Sequence, residues 1–486
     1  MANLKSLAKD TAIYGLSSIV GRFINYLLVP IYTFSLPAAS GGYGVITNVY
    51  AWTALAMVLL TFGMETTFFR FANKDEEDPR KVYSTTLITV GGLSVMFVAL
   101  IFAFLRPVSS FLGYAEHPSW VWAMATTVAI DAFSCIPFCY LRYQKKPIKF
   151  ATLKLLNILI LITLNIIYFV GFKGKDPGFT FYINLTASTL LLLALGKEVM
   201  GIRSGFDSQL VRRMFSYSWP ILVLGIAGIL NQTADKIIFP FVYDGDDVHK
   251  QLGIYGGASK IAMIMAMITQ AFRYAYEPMV FAGAKDRNSK EMYAKAMKFF
   301  LVFTLLAYLL VIGYIGLFKH IIARDYWEGL KVVPIVMAAE IMMGVYFNLS
   351  FWYKLIDKTI WGAVFSGAGC LALVLVNVIF VPKYGYMACA WGGFAGYGIA
   401  MLLSYFVGQK YNPVNYPLRD MLVYLGLTAV LCVLMNYVNH SMSVVLATIV
   451  NTLVIAVFVA YMVKKDFPLG SLPLVGKYFK KNKVSN

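Results

Sequence analysis

The chain has 486 residues, 59% of them hydrophobic and only 14% charged, with a mean hydropathy of +0.68. A soluble domain is roughly 45–50% apolar and about 25% charged, so a water-soluble globular protein is excluded. The apolar runs are also far longer than the roughly 9–11 alternating residues of a barrel strand, which leaves an all-α integral membrane protein. The net charge of +18 and pI of about 9.4 reside in lysines and arginines scattered over short loops. No groove-reading motif gathers them, which argues against nucleic acid and for the bias that sets membrane topology.

Segments of about 18 or more apolar residues fall near 11–35, 43–69, 82–105, 119–141, 149–171, 178–199, 214–242, 251–282, 296–318, 330–353, 360–381, 386–408, 420–438 and 442–463. That makes about fourteen transmembrane helices. The first is too long for a signal h-region and lacks a clear cleavage site, so it is expected to stay in the membrane. Alternate loops collect the basic residues. One side, with both termini, carries about 29 and the other about 8, which makes the first side cytoplasmic. The tail at 464–486 is basic with apolar residues between, which suits either an anionic leaflet or a solvated, disordered tail. Loops on both sides are too short for a folded domain.

Cys135, Cys139, Cys370, Cys389 and Cys432 lie within apolar spans and read as small hydrophobes. No disulfide framework or metal site is expected. His117, His249, His320 and His440 lie singly in turns and read as solvated. The glycine-rich run at 392–398 reads as close helix packing rather than a phosphate loop.

Several short motifs recur at nearly one spacing. Tyr43 in GGYG and Tyr255 in GIYG are about 212 residues apart, as are Glu65 and Glu277. An even number of helices separates the copies, so they are parallel repeats, and substrate is expected between the halves near the bilayer midplane. This divides the chain into an N-terminal lobe (1–205), a C-terminal lobe (206–410), two added helices (411–463) and the tail.

Charges inside the spans mark the candidate site, because each costs about 2.5–3.5 kcal/mol at membrane depth. Arg22 shares a face with Ser18 and Tyr26, beside Asn25. A planar guanidinium there suits phosphate oxygens; an internal ion pair, with Asp131 for example, is the structural alternative. In the seventh span Asn231 shares a face with Asp235, and Gln232 with Lys236. Asp235 and Lys236 are about 100° apart around the helix, open to either a ligand patch or a structural pair. In the eighth, Arg273 and Glu277 are spaced to pair, whereas Lys260 has no same-helix acid in reach. Asp131 and Glu340 read as lone acids, suited to proton or sodium coupling or to partnering a cation.

The first span followed by GGYG, the runs ADKIIF, GIYGGASKIA and AFRYAYEP, and the segment YWEGLKVVPIVMAAEIMMGVYFNLSFWYKLIDKT resemble the polysaccharide transporter family, the oligosaccharide-lipid flippases of the multidrug/oligosaccharidyl-lipid/polysaccharide exporter superfamily. The resemblance implies two six-helix lobes around a central cavity, alternating access, and export of an undecaprenyl-diphosphate-linked glycan for surface polysaccharide. The cavity cations would then be Arg22, Lys236, Lys260 and Arg273. Expected partners are the lipid-linked oligosaccharide, membrane lipids and a polysaccharide assembly machinery. No cofactor is expected beyond a coupling H+ or Na+. The competing readings are a drug/cation antiporter or peptidoglycan-precursor flippase on the same fold, and a membrane glycosyltransferase or polymerase, against which short loops and dispersed charges argue.

Overall fold

The computed structural model describes residues 26–282, 289–356 and 358–466. Its elements follow the sequence's apolar spans. Helix α1 is seen as Leu28–Ser35. It is followed by α2 (Gly42–Ala72), α3 (Pro79–Ala103), α4 (Pro118–Tyr143), α5 (Pro147–Gly171), α6 (Phe179–Ala194) and α7 (Ser208–Val242). Then come α8 (Val248–Ala282), α9 (Ser289–Gly313), α10 (Arg324–Leu355), α11 (Ile360–Tyr384), α12 (Tyr386–Tyr411), α13 (Leu418–Ser441) and α14 (Val444–Lys465). Twelve of these are long and apolar enough to cross a membrane by themselves, and α6 with its bent continuation Gly196–Ser204 makes a thirteenth. The expected fourteenth span, the first, lies largely outside the described residues.

Local chemistry sets the helix ends. Pro118 and Pro147 occupy first positions, where no N–H is needed. Asp78 caps α3 by accepting from the Arg80 amide, and Asp207 caps α7 by accepting from the Gln209 and Leu210 amides. Helix α2 is interrupted at Phe62 and Gly63, both in left-handed backbone conformation. A Cβ at Gly63 would lie 2.9 Å from the Ile221 side chain of α7, so the break lets two helices approach beside Pro220.

The described residues form two compact units. The first comprises the described parts of Met1–Lys260, with Asp325–Val332 and Thr359–Ala400. There α7 packs along α11 and α2, and α4 packs against α3 and α6. Its core includes Leu60, Met64, Phe68, Leu87, Ile136 and Met214. Gly369 and Gly396 bring α11 and α12 together, as the glycine-rich run suggested: a Cβ on either would fall within 2.8 Å of the other's carbonyl oxygen. The second unit comprises the described parts of Ile261–Arg324, Val333–Lys358 and Met401–Asn486, with α9 packed on α10, α13 and α14. Lys298 binds Asp420 and Asp466 there, Lys465 binds Asp420 at 2.8 Å, and Tyr424 donates to Asp466 at 2.6 Å. The beginning of the basic tail is thus joined to α9 and α13; residues 467–486 lie outside the described part. Outside both cores, exposed side chains such as Phe102, Leu193, Leu422, Val433 and Leu453 present apolar surface, as lipid-facing helices must.

Candidate functional site

In the first unit the candidate residues gather on α7 and α8. Asp235 and Lys236 pair directly: the lysine Nζ lies 3.0 and 2.9 Å from the two carboxylate oxygens. The Tyr255 hydroxyl donates to Asp235 at 2.6 Å, and its ring lies under the same ammonium, 5.2 Å from Nζ to centroid. Asn48 of α2 donates to the Lys236 carbonyl at 2.8 Å and accepts from the Tyr114 hydroxyl at 2.8 Å. Asn231 donates to the Ser366 carbonyl of α11 at 2.8 Å. These bonds tie Asp235, Lys236 and Asn231 into one polar seam.

Lys260 differs. It is half-buried, about 18 Å along α8 from its first residue, and makes no hydrogen bond or ion pair among the described residues. Among the described residues, the charge that acts on it is the like charge of Lys236. Asp131, read as a lone acid, interacts with Ser188 of α6 and Lys154 of α5. Lys154 sits at the edge of its apolar span, where sequence alone gives no sign that it turns inward. Arg22 and Asn25 lie outside the described residues.

The same unit holds a seam that the sequence did not reveal. The backbone N–H of Ala38 donates to the Asp325 carboxylate, and the Tyr326 hydroxyl donates to the Leu36 carbonyl at 2.6 Å. Tyr326 is fully buried and meets Tyr43 edge-on at 6.0 Å. The two repeat motifs also meet: Gly44 of α2 packs against Gly253 of α8. His249, expected in solvent, is half-buried there and stacks on Tyr114 at 5.8 Å. The close crossing draws it inward, because the His249 backbone and Cβ occupy the space that side chains on Gly41 and Gly44 would fill.

In the second unit Arg273 and Glu277 pair as their spacing implied, Nε to Oε2 at 3.2 Å. The sequence did not suggest the third member, Lys354, whose Nζ is 3.7 Å from the other Glu277 oxygen. It falls just past the tenth apolar run and looks like a loop residue. Arg273 lies over the Phe347 ring and Lys354 over the Phe351 ring, at 4.8 and 5.0 Å. Arg273, Lys354 and the two rings, with Thr269 and Asn348, line a small pocket between α8, α9 and α10. Glu340 is half-buried on α10 in the same unit.

Chemically, among the described residues the first unit offers an ammonium without an acid partner beside a neutralised pair, and the second offers two cations sharing one carboxylate. Both suit a compact anion better than a cation. Among the described residues no group of three or more histidine, cysteine or acidic side chains is placed to hold a metal ion.

Among curated proteins no sequence match is found. Similar folds occur in the "Lipid II flippase MurJ, inward closed conformation", with TM-score 0.73 and 15% identity over 93% of this chain and 98% of that one. The inward-facing multidrug resistance MATE family transporter of the MOP superfamily gives TM-score 0.63 and 14% identity over 82% and 94% of the two chains. The outward-facing multidrug resistance MATE family transporter of the same superfamily gives 0.56 and 14% over 83% and 95%. The family model described as "Polysaccharide biosynthesis protein" matches residues 7–281, more than half of the sequence. The chain is therefore a multi-pass membrane protein of the polysaccharide biosynthesis protein family, built on the fold shared by MurJ and MATE transporters.

Proposed function

We propose that this protein is a flippase that moves an undecaprenyl-diphosphate-linked oligosaccharide across the cytoplasmic membrane by alternating access, for O-antigen, capsule or exopolysaccharide assembly. It moves cargo and performs no bond chemistry. Both termini face the cytoplasm, the lobes are 1–205 and 206–410, and the helices at 411–463 are an addition. The observation that carries this reading is Lys260, an ammonium inside a span with no carboxylate partner among the described residues. It attracts a phosphate and repels an organic cation, which weighs against drug export. Arg22 and Arg273 supply further positive charge, and Lys236 joins them when it is released from Asp235. Asp131, Glu340 and the Asp235 pair are the candidates for proton or sodium coupling.

By the basic-loop rule, the seam joining Ala38 to Asp325 and Gly44 to Gly253 lies on the outer side. In this reading it is the closed outer end of the pathway, with cargo entering from the cytoplasm. A peptidoglycan precursor is the second reading, favoured by the likeness to the lipid II flippase; it presents the same diphosphate. The test is complementation of strains lacking either a surface-glycan flippase or the precursor flippase, alongside drug-resistance assays. Rescue of the first strain, lost with Lys260→Gln at unchanged protein level, supports the proposal. Drug resistance without rescue overturns it.

A further inference from the structure

We propose that the Glu277 carboxylate is a built-in stand-in for an anionic ligand: it bridges Arg273 and Lys354, two cations that line a small pocket of the second unit, and gives way when the diphosphate of a lipid-linked cargo arrives. The proposal rests on the flippase reading and adds to it the residue that sets when the pocket is available.

One carboxylate bridges two cations, and neither contact is strong. Glu277 meets Arg273 only through Nε, at 3.2 Å, and Lys354 at 3.7 Å, beyond hydrogen-bond length. A carboxylate that fully satisfied arginine would take two parallel N–H bonds. Here the terminal guanidinium nitrogens make no hydrogen bond among the described residues. The triad keeps a surplus positive charge, and its side chains are 38%, 31% and 27% exposed, so a ligand can reach them. A diphosphate brings more charge and more acceptor oxygens than the carboxylate it displaces.

The pocket also holds an unused donor. Thr269 is 3% exposed, lines the pocket, and its hydroxyl has no hydrogen-bond partner among the described residues. A buried hydroxyl left unpaired is destabilising, and a phosphate oxygen within reach would relieve it. Gly344 keeps that hydroxyl uncovered, since a Cβ there would sit 3.0 Å from it and 2.2 Å from Phe300. The Phe347 and Phe351 rings back the two cations and hold them in place without neutralising them. By the loop-charge topology the pocket lies toward the cytoplasmic end of α8, the depth at which a polyprenyl diphosphate carries its head group.

The experiment uses the full chain in lipid nanodiscs, with undecaprenyl diphosphate, phosphatidylglycerol and inorganic pyrophosphate as probes and native mass spectrometry as readout. Glu277→Gln should bind undecaprenyl diphosphate about tenfold more tightly than wild type. Lys354→Gln and Arg273→Gln should bind it about tenfold more weakly, and pyrophosphate should compete. Arg273→Lys, with a melting curve on every variant, separates lost recognition from lost folding: partial binding at unchanged melting temperature supports recognition. Unchanged or weaker binding by Glu277→Gln overturns the proposal, because the carboxylate would then only position the cations. An identical response to phosphatidylglycerol overturns it as well. If pocket variants bind and export like wild type while Lys260→Gln loses export, this proposal falls and the flippase reading stands. If the binding pattern holds but no flippase-deficient strain is rescued, the flippase reading falls.

Discussion

Gly44 and Gly253, drawn from the two copies of the repeated motif, lie backbone to backbone where α2 crosses α8. A Cβ on Gly253 would sit 3.0 Å from the Gly44 nitrogen, and one on Gly44 would fall 1.8 Å from the His249 carbonyl oxygen. Only glycine fits at 44, and a side chain at 253 would force the two backbones slightly apart.

It follows that Gly44→Leu should hold the crossing open. Overpacking of this kind costs about 1–3 kcal/mol, too little to unfold a bundle but enough to bias a conformational equilibrium. In the proposed mechanism, a single cysteine at Thr47 should react faster with an impermeant maleimide added from outside in the Gly44→Leu background, with export lost. Equal labelling rates in the two backgrounds would show that the crossing is not a closure.

Asp235→Asn should leave Lys236 without its counter-ion in a largely buried setting. Removing one partner of such a pair costs about 3–5 kcal/mol, and the partial exposure of Lys236 (22%) places the loss near the lower end. Asp235→Asn combined with Lys236→Met should recover most of it. Thermal melting in detergent of the two single variants and the double variant measures this directly; additive losses would mean that the residues act independently.

Lys298→Met should loosen α13 and α14 from α9, since Lys298 holds both Asp420 and Asp466. Those carboxylates would be left with Lys465 and Tyr424 as their partners. The expected result is faster proteolysis near residue 466 and a melting temperature several degrees lower. Unchanged proteolysis would mean that apolar packing alone secures the added helices.

A pH effect is expected at the turn between α7 and α8. Donation from the Gln251 side chain, then from the Tyr243 hydroxyl, holds the Asp247 carboxyl below its usual range. A folded-state value below the unfolded one stabilises at pH above about 3.9, and the contribution fades as pH falls through the folded value. Wild type should therefore melt above Asp247→Asn at neutral pH, with the gap closing below about pH 4. A gap that stays constant from pH 7 to pH 3 would contradict this.

The spans and the local charge pairs were legible in the sequence for one reason: each is written within a single helix. Twenty apolar residues announce a crossing by themselves, and Arg273–Glu277 and Asp235–Lys236 are close enough along one helix to meet whatever surrounds them. Pairs between helices were not legible. Lys298 finds Asp420 and Asp466 at separations of 122 and 168 residues, which depend on how α9, α13 and α14 pack. Lys354 looked like a loop residue because the apolar run ends just before it, and His249 looked solvated because nothing local shows that Gly41 and Gly44 would sit under it. The repeat was visible as spacing, but that its two copies touch at Gly44 and Gly253 was not.

The hydrogen bonds of Asp325 and Tyr326 to this segment go only to main-chain atoms, the amide of residue 38 and the carbonyl of residue 36. The connection between α1 and α2 is thus held through its peptide groups, so its exposed positions Pro37, Ala39 and Ser40 are free to drift over evolutionary time, while Leu36 and Ala38 are fixed by burial. An imino acid at position 38 has no amide hydrogen to offer and would cut the tie while every neighbouring residue stayed the same.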